Sequence, residues 1–573
     1  MTPNPQLVQF SPLPATISMV QSLTPHEWGL PPEFNTWRPN QPRVVASAVD
    51  SPTRHHVNCV PTGGGKSLAY VTHAVMSGLR TVILTSTLGL QTQNLTDFSS
   101  IGMVDIRGRS NYKCLGYTYL NCDEGHPKCH VCREGKCPRD LALKAAMDSP
   151  LVITNYPFWL SNNKYGDGLG NVDMLVLDEA HDAVDQLANF MSVTLSIEDL
   201  SRSWKFITRM ARGTNAEPVD NDLAVPDGDD ISTWSAWSRS TLRPYEKFIS
   251  ACSPPPDSPG LAPEIELPAH ETVLRDFSLT KRVRSSLTTI SQSRPDTWVC
   301  ELVDAGAKFD PIWPSMYNEH LFSTVKKIAF YSATILPKTM ALLGVPRDSY
   351  TFSEFDSGFD PRRSPIYFLP TVNMNHRASD ADRMQAINRL DQIISLRLDR
   401  KGFVPTGSFD RQRLVVDHST YRRYMHYNSS SMTRAIDGKT ITKIVDQYRA
   451  SPPPAILVTP SASTGYDFRG PDCRYIVMIK VPFPDTRSKV MQRRKESDPE
   501  YYNYLTMLDL IQTFGRGTRS PSDWCENFAI DNNYQWFMNR NQHHAPQWFK
   551  RQALIGGYVP RADTMPQPLP LNF

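Results

Sequence analysis

Short, mostly apolar runs recur along the chain and alternate with longer stretches of helical spacing. Val57 to Val60 precedes a helical pattern from Leu68, and Met174 to Leu177 forms a second run. Lys326 to Thr334 reads as another buried strand, ending in small hydroxyl residues. Gly402 to Thr406, Ala455 to Thr459, Tyr475 to Lys480 and Phe528 to Ile530 repeat the arrangement, with a helical stretch from Tyr501. Runs of this kind suit strands covered on both faces, as in parallel sheets, whereas a half-exposed strand alternates. The pattern predicts an α/β chain with two parallel-sheet domains. No run approaches the roughly 18 apolar residues that cross a bilayer. The N-terminus lacks a charged-then-apolar leader, so a cytoplasmic protein is expected.

Composition adds little to that outline. The 573 residues are 40% hydrophobic and 21% charged, an ordinary globular balance that a soft length prior divides into several units. The net charge of +3 is too small to mark the whole surface as a polynucleotide binder, so any strand must lie in a local groove. The 47 prolines gather in the N-terminal segment, near residues 253–268, at Pro452 to Pro454 and in the tail. Those clusters mark loops and linkers.

Chemistry enters where the apolar runs end. After the first run comes Pro61-Thr62-Gly63-Gly64-Gly65-Lys66-Ser67, a glycine-rich loop between strand and helix, whose backbone N–H groups can turn inward around phosphates. Lys66 is placed for the β and γ oxygens and Ser67 for Mg²⁺. The second run delivers Asp178-Glu179-Ala180-His181 at a strand's carboxyl end, where open α/β sheets bind ligands. Asp178 is expected to hold the metal, and Glu179 to orient and deprotonate a water. Alone, the loop is readable as a tight turn and the acidic pair as a helix cap; in order, they point to nucleoside triphosphate hydrolysis.

Half of the ten cysteines lie between Cys114 and Cys137. Without a secretory leader, that density favours a metal site over disulfides. Cys129 and Cys132 form a C-x-x-C pair, and Cys137 precedes Pro138, as in iron–sulfur runs. Cys114, Cys129, Cys132 and Cys137 are the selected ligands, with Cys122 as alternate. Spacing leaves zinc and [4Fe–4S] both open, and His126 and His130 favour zinc.

In the second half, Ser461-Ala462-Ser463-Thr464-Gly465-Tyr466-Asp467 is a hydroxyl-rich turn suited to phosphate oxygens. Gln512-Thr513-Phe514-Gly515-Arg516-Gly517-Thr518-Arg519 places Arg516 and Arg519 on one helical face. Either they neutralise a transferring phosphoryl group across a domain interface or they are a solvated basic face.

The order of these parts resembles the XPD/DinG family of superfamily 2 helicases. Thr85-Ser86-Thr87 with Leu90-Gln91 resembles motif Ia, and Gly108 to Cys114 is similar to the entry into the family's iron–sulfur domain, with Cys137-Pro138 as the exit. Val152 to Tyr156 resembles the run before the DEAH box. Ser332-Ala333-Thr334, Gly402 to Ser408, Gly465-Tyr466-Asp467 and Gln512/Gly515/Arg516/Arg519 resemble motifs III to VI. The likeness spans roughly Trp37 to the end, as a compact phage-type or accessory member.

The resemblance implies two RecA-like domains clamping ATP. The nucleotide would meet Gly63, Gly64, Gly65, Lys66, Ser67 and Asp178 on one side, and Gly465, Asp467 and the Arg516/Arg519 finger pair on the other. Gln41 would bind the adenine edge beside Trp37, and His181 would communicate with Gln512. It favours [4Fe–4S] as the metal, Mg²⁺ with ATP, and 5′→3′ translocation on single-stranded DNA to unwind duplex or R-loop junctions. Thr87, Gln91, Thr406, Ser408 and Ser463 are the expected strand contacts, and Tyr112, Tyr117 and Tyr119 the stacking candidates. The implied division is an N-terminal extension at 1–36, a first motor at 37–335 and a second at 336–573. The first motor would contain the iron–sulfur insertion at 109–140 and a helical Arch-like insertion at 183–325. A redox-responsive, ATP-switched DNA-binding protein and a protein-stripping translocase are the alternatives.

Overall fold

The computed structural model describes residues 17–125, 131, 134–166, 168–218, 223–253, 262–322, 325–375, 377–428, 438–460, 468, 470–518, 520 and 522–555. Two seven-stranded sheets, parallel throughout, form its two motor domains.

The first sheet takes β1 (His55–Cys59), β2 (Thr81–Thr85), β3 (Val104–Asp105), β4 (Leu151–Asn155) and β5 (Met174–Asp178). After β6 (Val193–Ser196), β7 (Trp298–Val303) and β8 (Gly306–Pro311), the chain returns to it with β9 (Lys327–Ser332) and β10 (Tyr350–Glu354). The order is β10-β1-β9-β5-β2-β4-β3. The mostly apolar runs are explained by this packing. Val82, Leu84, Leu175 and Leu177 enter one core, while Ile83, Met174 and Val176 enter another on the opposite face.

The second sheet comprises β11 (Ile366–Val372), β12 (Lys401–Pro405), β13 (Met425–His426), β14 (Ala455–Thr459), β15 (Tyr475–Met478), β16 (Glu526–Asp531) and β17 (Ala553–Ile555). Its order is β13-β14-β12-β15-β16-β11-β17. The helix Pro499–Phe514 joins the two halves. Tyr501, Tyr504 and Leu508 lie in a core of the first sheet, whereas Met507, Leu510, Ile511 and Phe514 lie in a core of the second.

Two expected boundaries move. The first sheet includes β10, so it continues past residue 335. Val20, Trp28 and Leu30 are buried in a first-sheet core, so the described part of the N-terminal extension is built into the motor. Short, polar, proline-interrupted sequence hid this docking.

Between β5 and β9 lies a unit with its own core. The helices Ile197–Met210, Ile231–Ala251 and Glu271–Ser291 pack with an antiparallel sheet, β6-β8-β7. The sheet adds to the expected helical insertion. Among the described residues, no helix is long and apolar enough to cross a membrane.

Candidate nucleotide site

Sheet order assembles the site. β9 lies between β1 and β5, so the loop after Cys59, the hydroxyls after Ser332 and the carboxylates after Leu177 emerge side by side. Gly63 and Gly65 have φ of 74° and 75°, values that glycine adopts without a Cβ penalty. A Cβ on Gly64 would stand 2.9 Å from Val60 Cγ1. These glycines bring the loop's backbone to the head of the helix Lys66–Ser77, the arrangement that presents N–H groups to an anion.

Gln41 has a different place from the one expected. It is 1% exposed, accepts a bond from the Arg38 N–H at 2.6 Å and donates to Gly65 O at 3.0 Å. Arg38 also donates to Gly63 O at 2.7 Å. Gln41 thus braces the phosphate loop through its amide oxygen and one amide N–H. Trp37 donates its indole N–H to Leu23 O and packs against the first-domain core.

At the end of β5, Lys66 Nζ lies 3.0 Å from Glu179 Oε1. Burial raises the Glu179 pKa, but Lys66 and His181 outweigh it and hold the group below its usual value, as a carboxylate. Glu179 has φ 46° and ψ 48°, left-handed geometry that is strained for a non-glycine residue. Burial and the adjacent Glu179 push Asp178 up to about 7. Asp178 Oδ1 is buried with no hydrogen-bond partner among the described residues, while Oδ2 accepts from Tyr70 at 3.4 Å. An orphaned, inward carboxylate oxygen beside a phosphate loop fits an Mg²⁺ ligand. Tyr70, also bonded to Asn94 at 2.7 Å, and Tyr156, which donates to Asp178 O at 3.1 Å, complete the surround. Their distance along the chain concealed them; Tyr70 sits one helical turn after Ser67, the only cue available.

His181 occupies the junction. Its Nδ1 is 2.8 Å from Ser332 Oγ, and its Nε2 is 3.1 Å from both Asp182 Oδ1 and Gln512 Nε2. Gln512 also donates to Thr334 Oγ1 at 3.2 Å. Burial opposes charge on His181, but Asp182 and Glu179 outweigh it and raise its pKa to about 8. Despite burial, His181, with help from Ser86 in the segment expected to touch nucleic acid, holds the Asp182 carboxyl below its usual value.

Gly515 abuts the phosphate loop: a Cβ there would lie 3.3 Å from Thr62 Cγ2. The helix ends at Phe514, so Arg516 stands in the following turn and not on a helical face. A Cβ on Gly517 would fall 2.2 Å from Cys525 Sγ, which fixes that turn tightly. Arg516 is 4% exposed, and a solvated face does not describe it. Arg519, Ser463, Gly465 and Asp467 lie outside the described residues.

The expected strand contacts divide. Gln91 is fully buried, donates toward Ile106 O and Ile153 O, and accepts from Asn155. It ties the helix Leu88–Phe98 to β4 and does not reach a strand. Thr406 is also buried, bonded to Ser408 O. Thr87 and Ser408 cap the helices Leu88–Phe98 and Phe409–His418, leaving helix N-termini as phosphate-facing features. Tyr119 is 77% exposed, whereas Tyr112 and Tyr117 pack against neighbouring cores.

Cys114, Cys122 and Cys137 are buried. Cys122 Sγ is 3.7 Å from Cys137 Sγ and 3.6 Å from Arg109 NH1. The alternate ligand Cys122 thus touches Cys137, a juxtaposition that linear spacing does not reveal. Cys129, Cys132, His126 and His130 lie outside the described residues. Burial pushes the Cys122 thiol up to about 11 despite Arg109, and among the described residues the cysteines do not gather into a group that could hold one ion.

Comparison with known proteins agrees with this architecture. Residues 38–208 match the DEAD/DEAH box helicase family, and residues 403–552 match the helicase C-terminal domain. No curated protein sequence matches the chain. A solved XPD helicase is 14% identical with a TM-score of 0.58, covering 90% of this chain and 98% of that one. An apo XPD is 13% identical with a TM-score of 0.56, covering 91% and 100%. Xpd4 of S. tokodaii is 13% identical with a TM-score of 0.54, again covering 91% and 100%. At such identities the likeness is one of fold. Two helicase domains in this order, on two parallel sheets joined by one helix, show an ATP-dependent helicase whose fold is that of the solved XPD structures.

Proposed function

We propose that the chain couples hydrolysis of ATP on Mg²⁺ to 5′→3′ movement along single-stranded DNA, and that it opens duplex or R-loop junctions. The observation that supports this best is His181, held between the Glu179 carboxylate of one domain and the Gln512 amide of the other. In this reading, Lys66 and the loop amides hold the phosphates, and arrival of the γ-phosphate draws Lys66 from Glu179. Glu179 then takes a proton from the attacking water. Asp178, with Ser67, would hold Mg²⁺, which supplies charge neutralisation at the phosphates. Arg516 and Arg519 would complete the site from the second domain, with Gly465 and Asp467 beside them. Gln41 keeps the loop in shape, and any adenine contact comes from its remaining donor or from Trp37.

Single-stranded DNA would cross both domains over the helix N-termini at Thr87 and Ser408 and over the turn at Ser463. Its bonds would be mostly to phosphate oxygens. The inserted unit between β5 and β9 and the cysteine-rich insertion would form the element that divides the strands. A [4Fe–4S] cluster, favoured by the family resemblance, would be held by cysteines drawn from Cys114, Cys122, Cys129, Cys132 and Cys137, and would brace that insertion. Direction and substrate rest on the same resemblance.

The test is ATP turnover with and without single-stranded DNA or RNA, followed by separation of duplexes carrying a 5′ or a 3′ tail. Stimulation by DNA and opening of 5′-tailed duplexes alone are expected, both absent in Lys66→Ala. Preference for a 3′ tail, or stimulation by RNA alone, would refute the direction or the substrate.

A further inference from the structure

Arg494 takes no part in the nucleotide site, yet it is 7% exposed and each nitrogen of its guanidinium donates a hydrogen bond. It lies on the helix Lys489–Ser497 of the second domain, just ahead of the helix Pro499–Phe514 that spans both cores. Its Nε donates to Ile312 O at 2.6 Å and its NH2 to Pro311 O at 3.1 Å. Pro311 ends β8 and Ile312 follows it, where the inserted unit returns toward the first sheet. The third donor reaches Tyr501 Oη at 3.3 Å, and the guanidinium lies over the rings of Trp313 and Tyr501. Those two rings meet edge to face with centroids 5.1 Å apart.

Further contacts surround this one. Trp313 Nε1 donates to Ser497 Oγ at 3.2 Å, and Lys489 pairs with Asp229 at the head of the helix Ile231–Ala251. The Arg494 charge also reaches Asp185, on the helix that begins directly after the DEAH segment. Thus the inserted unit, covalently part of the first domain, is clasped by the second. The helix that starts at this clasp ends two residues after Gln512, at the His181 junction.

We infer that Arg494 is a positioning residue that transmits opening and closing of the ATP cleft to the inserted unit, by holding the end of β8 against the head of the helix Pro499–Phe514. When the second domain moves on the first, a rigid helix packed in both cores cannot move at Gln512 alone. The buried arginine fork makes β8 follow. The assignment rests on the proposed role of the inserted unit in strand separation, and it names the contact that connects that unit to ATP.

Arg494→Ala is expected to keep the KM for ATP and the DNA-free turnover within about threefold of wild type. The ratio of strand separation to ATP turnover should fall about tenfold or more, as loss of charge-assisted bonds implies. Arg494→Lys, which keeps charge but not the fork, should fall between. An unchanged ratio, or separation and turnover falling in proportion, would overturn the inference. If Arg494→Ala does not fold, Trp313→Phe removes the bond to Ser497 and reduces the ring surface under Arg494 while keeping an aromatic ring; a lowered ratio supports the clasp and an unchanged ratio refutes it. Hydrogen exchange supplies a readout that needs no unwinding. A non-hydrolysable ATP analogue should change exchange in residues 298–313 of the wild type but not of Arg494→Ala. Equal change in both would refute the clasp even if the wild type opens no duplex, a result that would separately refute the helicase substrate reading.

Discussion

The Gln512 amide nitrogen lies 3.1 Å from Nε2 of His181, although the two residues are on different domains. The contact joins the segment carrying Glu179 to the turn carrying Arg516, and Gln512 reaches Thr334 of β9's loop as well. In the proposed mechanism, hydrolysis and domain closure would share this junction.

Gln512→Ala is expected to lower DNA-stimulated turnover about tenfold, through loss of its contacts with His181 and Thr334, with the ATP dissociation constant little changed. Steady-state kinetics with a separate fluorescent-nucleotide titration separates the two. A loss confined to ATP binding would place Gln512 in the nucleotide pocket instead.

Glu179→Gln should bind ATP and stall. The amide keeps the shape, loses the base and breaks the ion pair with Lys66 at 3.0 Å. Turnover is expected to fall by about a hundredfold or more, with a long-lived DNA-bound state in gel shift. A rate within a few-fold of wild type would remove Glu179 as the base.

Gln41→Ala distinguishes loop support from base recognition. It leaves Gly65 O and the Arg38 N–H without their partner, a loss of about 1–3 kcal/mol for buried polar groups. Affinity for ATP and for GTP should weaken together. A selective loss for ATP, measured in paired titrations, would restore the adenine-edge assignment.

His181 makes stability depend on pH. Its pKa is raised from 6.5 to about 8, so its contribution is fully present below pH 6.5 and is lost as pH rises through about 8. The shift corresponds to about 2 kcal/mol. Urea unfolding at pH 6 and pH 9 should show that difference shrinking by a like amount in His181→Asn. An unchanged difference would mean that the imidazole is not charged in the folded state.

The cysteine site predicts a brown protein with about four irons per chain. Cys122→Ser should lose metal as Cys137→Ser does, because the two sulfur atoms are in contact. ATP turnover should survive in part, since the phosphate loop is built from other elements. One zinc and no iron per chain would replace the cluster with a four-thiolate zinc; full metal content in Cys122→Ser would exclude that residue as a ligand.

By itself, the sequence determined the two parallel sheets, because strands buried on both faces are mostly apolar, as Met174 to Leu177 and Ala455 to Val458 are. It also determined the phosphate loop and the Asp178-Glu179 pair, because backbone turn and chemistry there depend on neighbours in the chain. The His181–Gln512 link was legible through the family resemblance. Residues whose partners are remote were not legible. Gln41 turns back onto Gly65, Gln91 turns inward to β4, Tyr70 meets Asp178, Cys122 meets Cys137 and Arg494 holds β8. A polar side chain reads the same along the chain whether it faces a ligand or a buried carbonyl. Only the packing of distant elements, by deciding which unpaired group lies within reach, assigns it one role or the other.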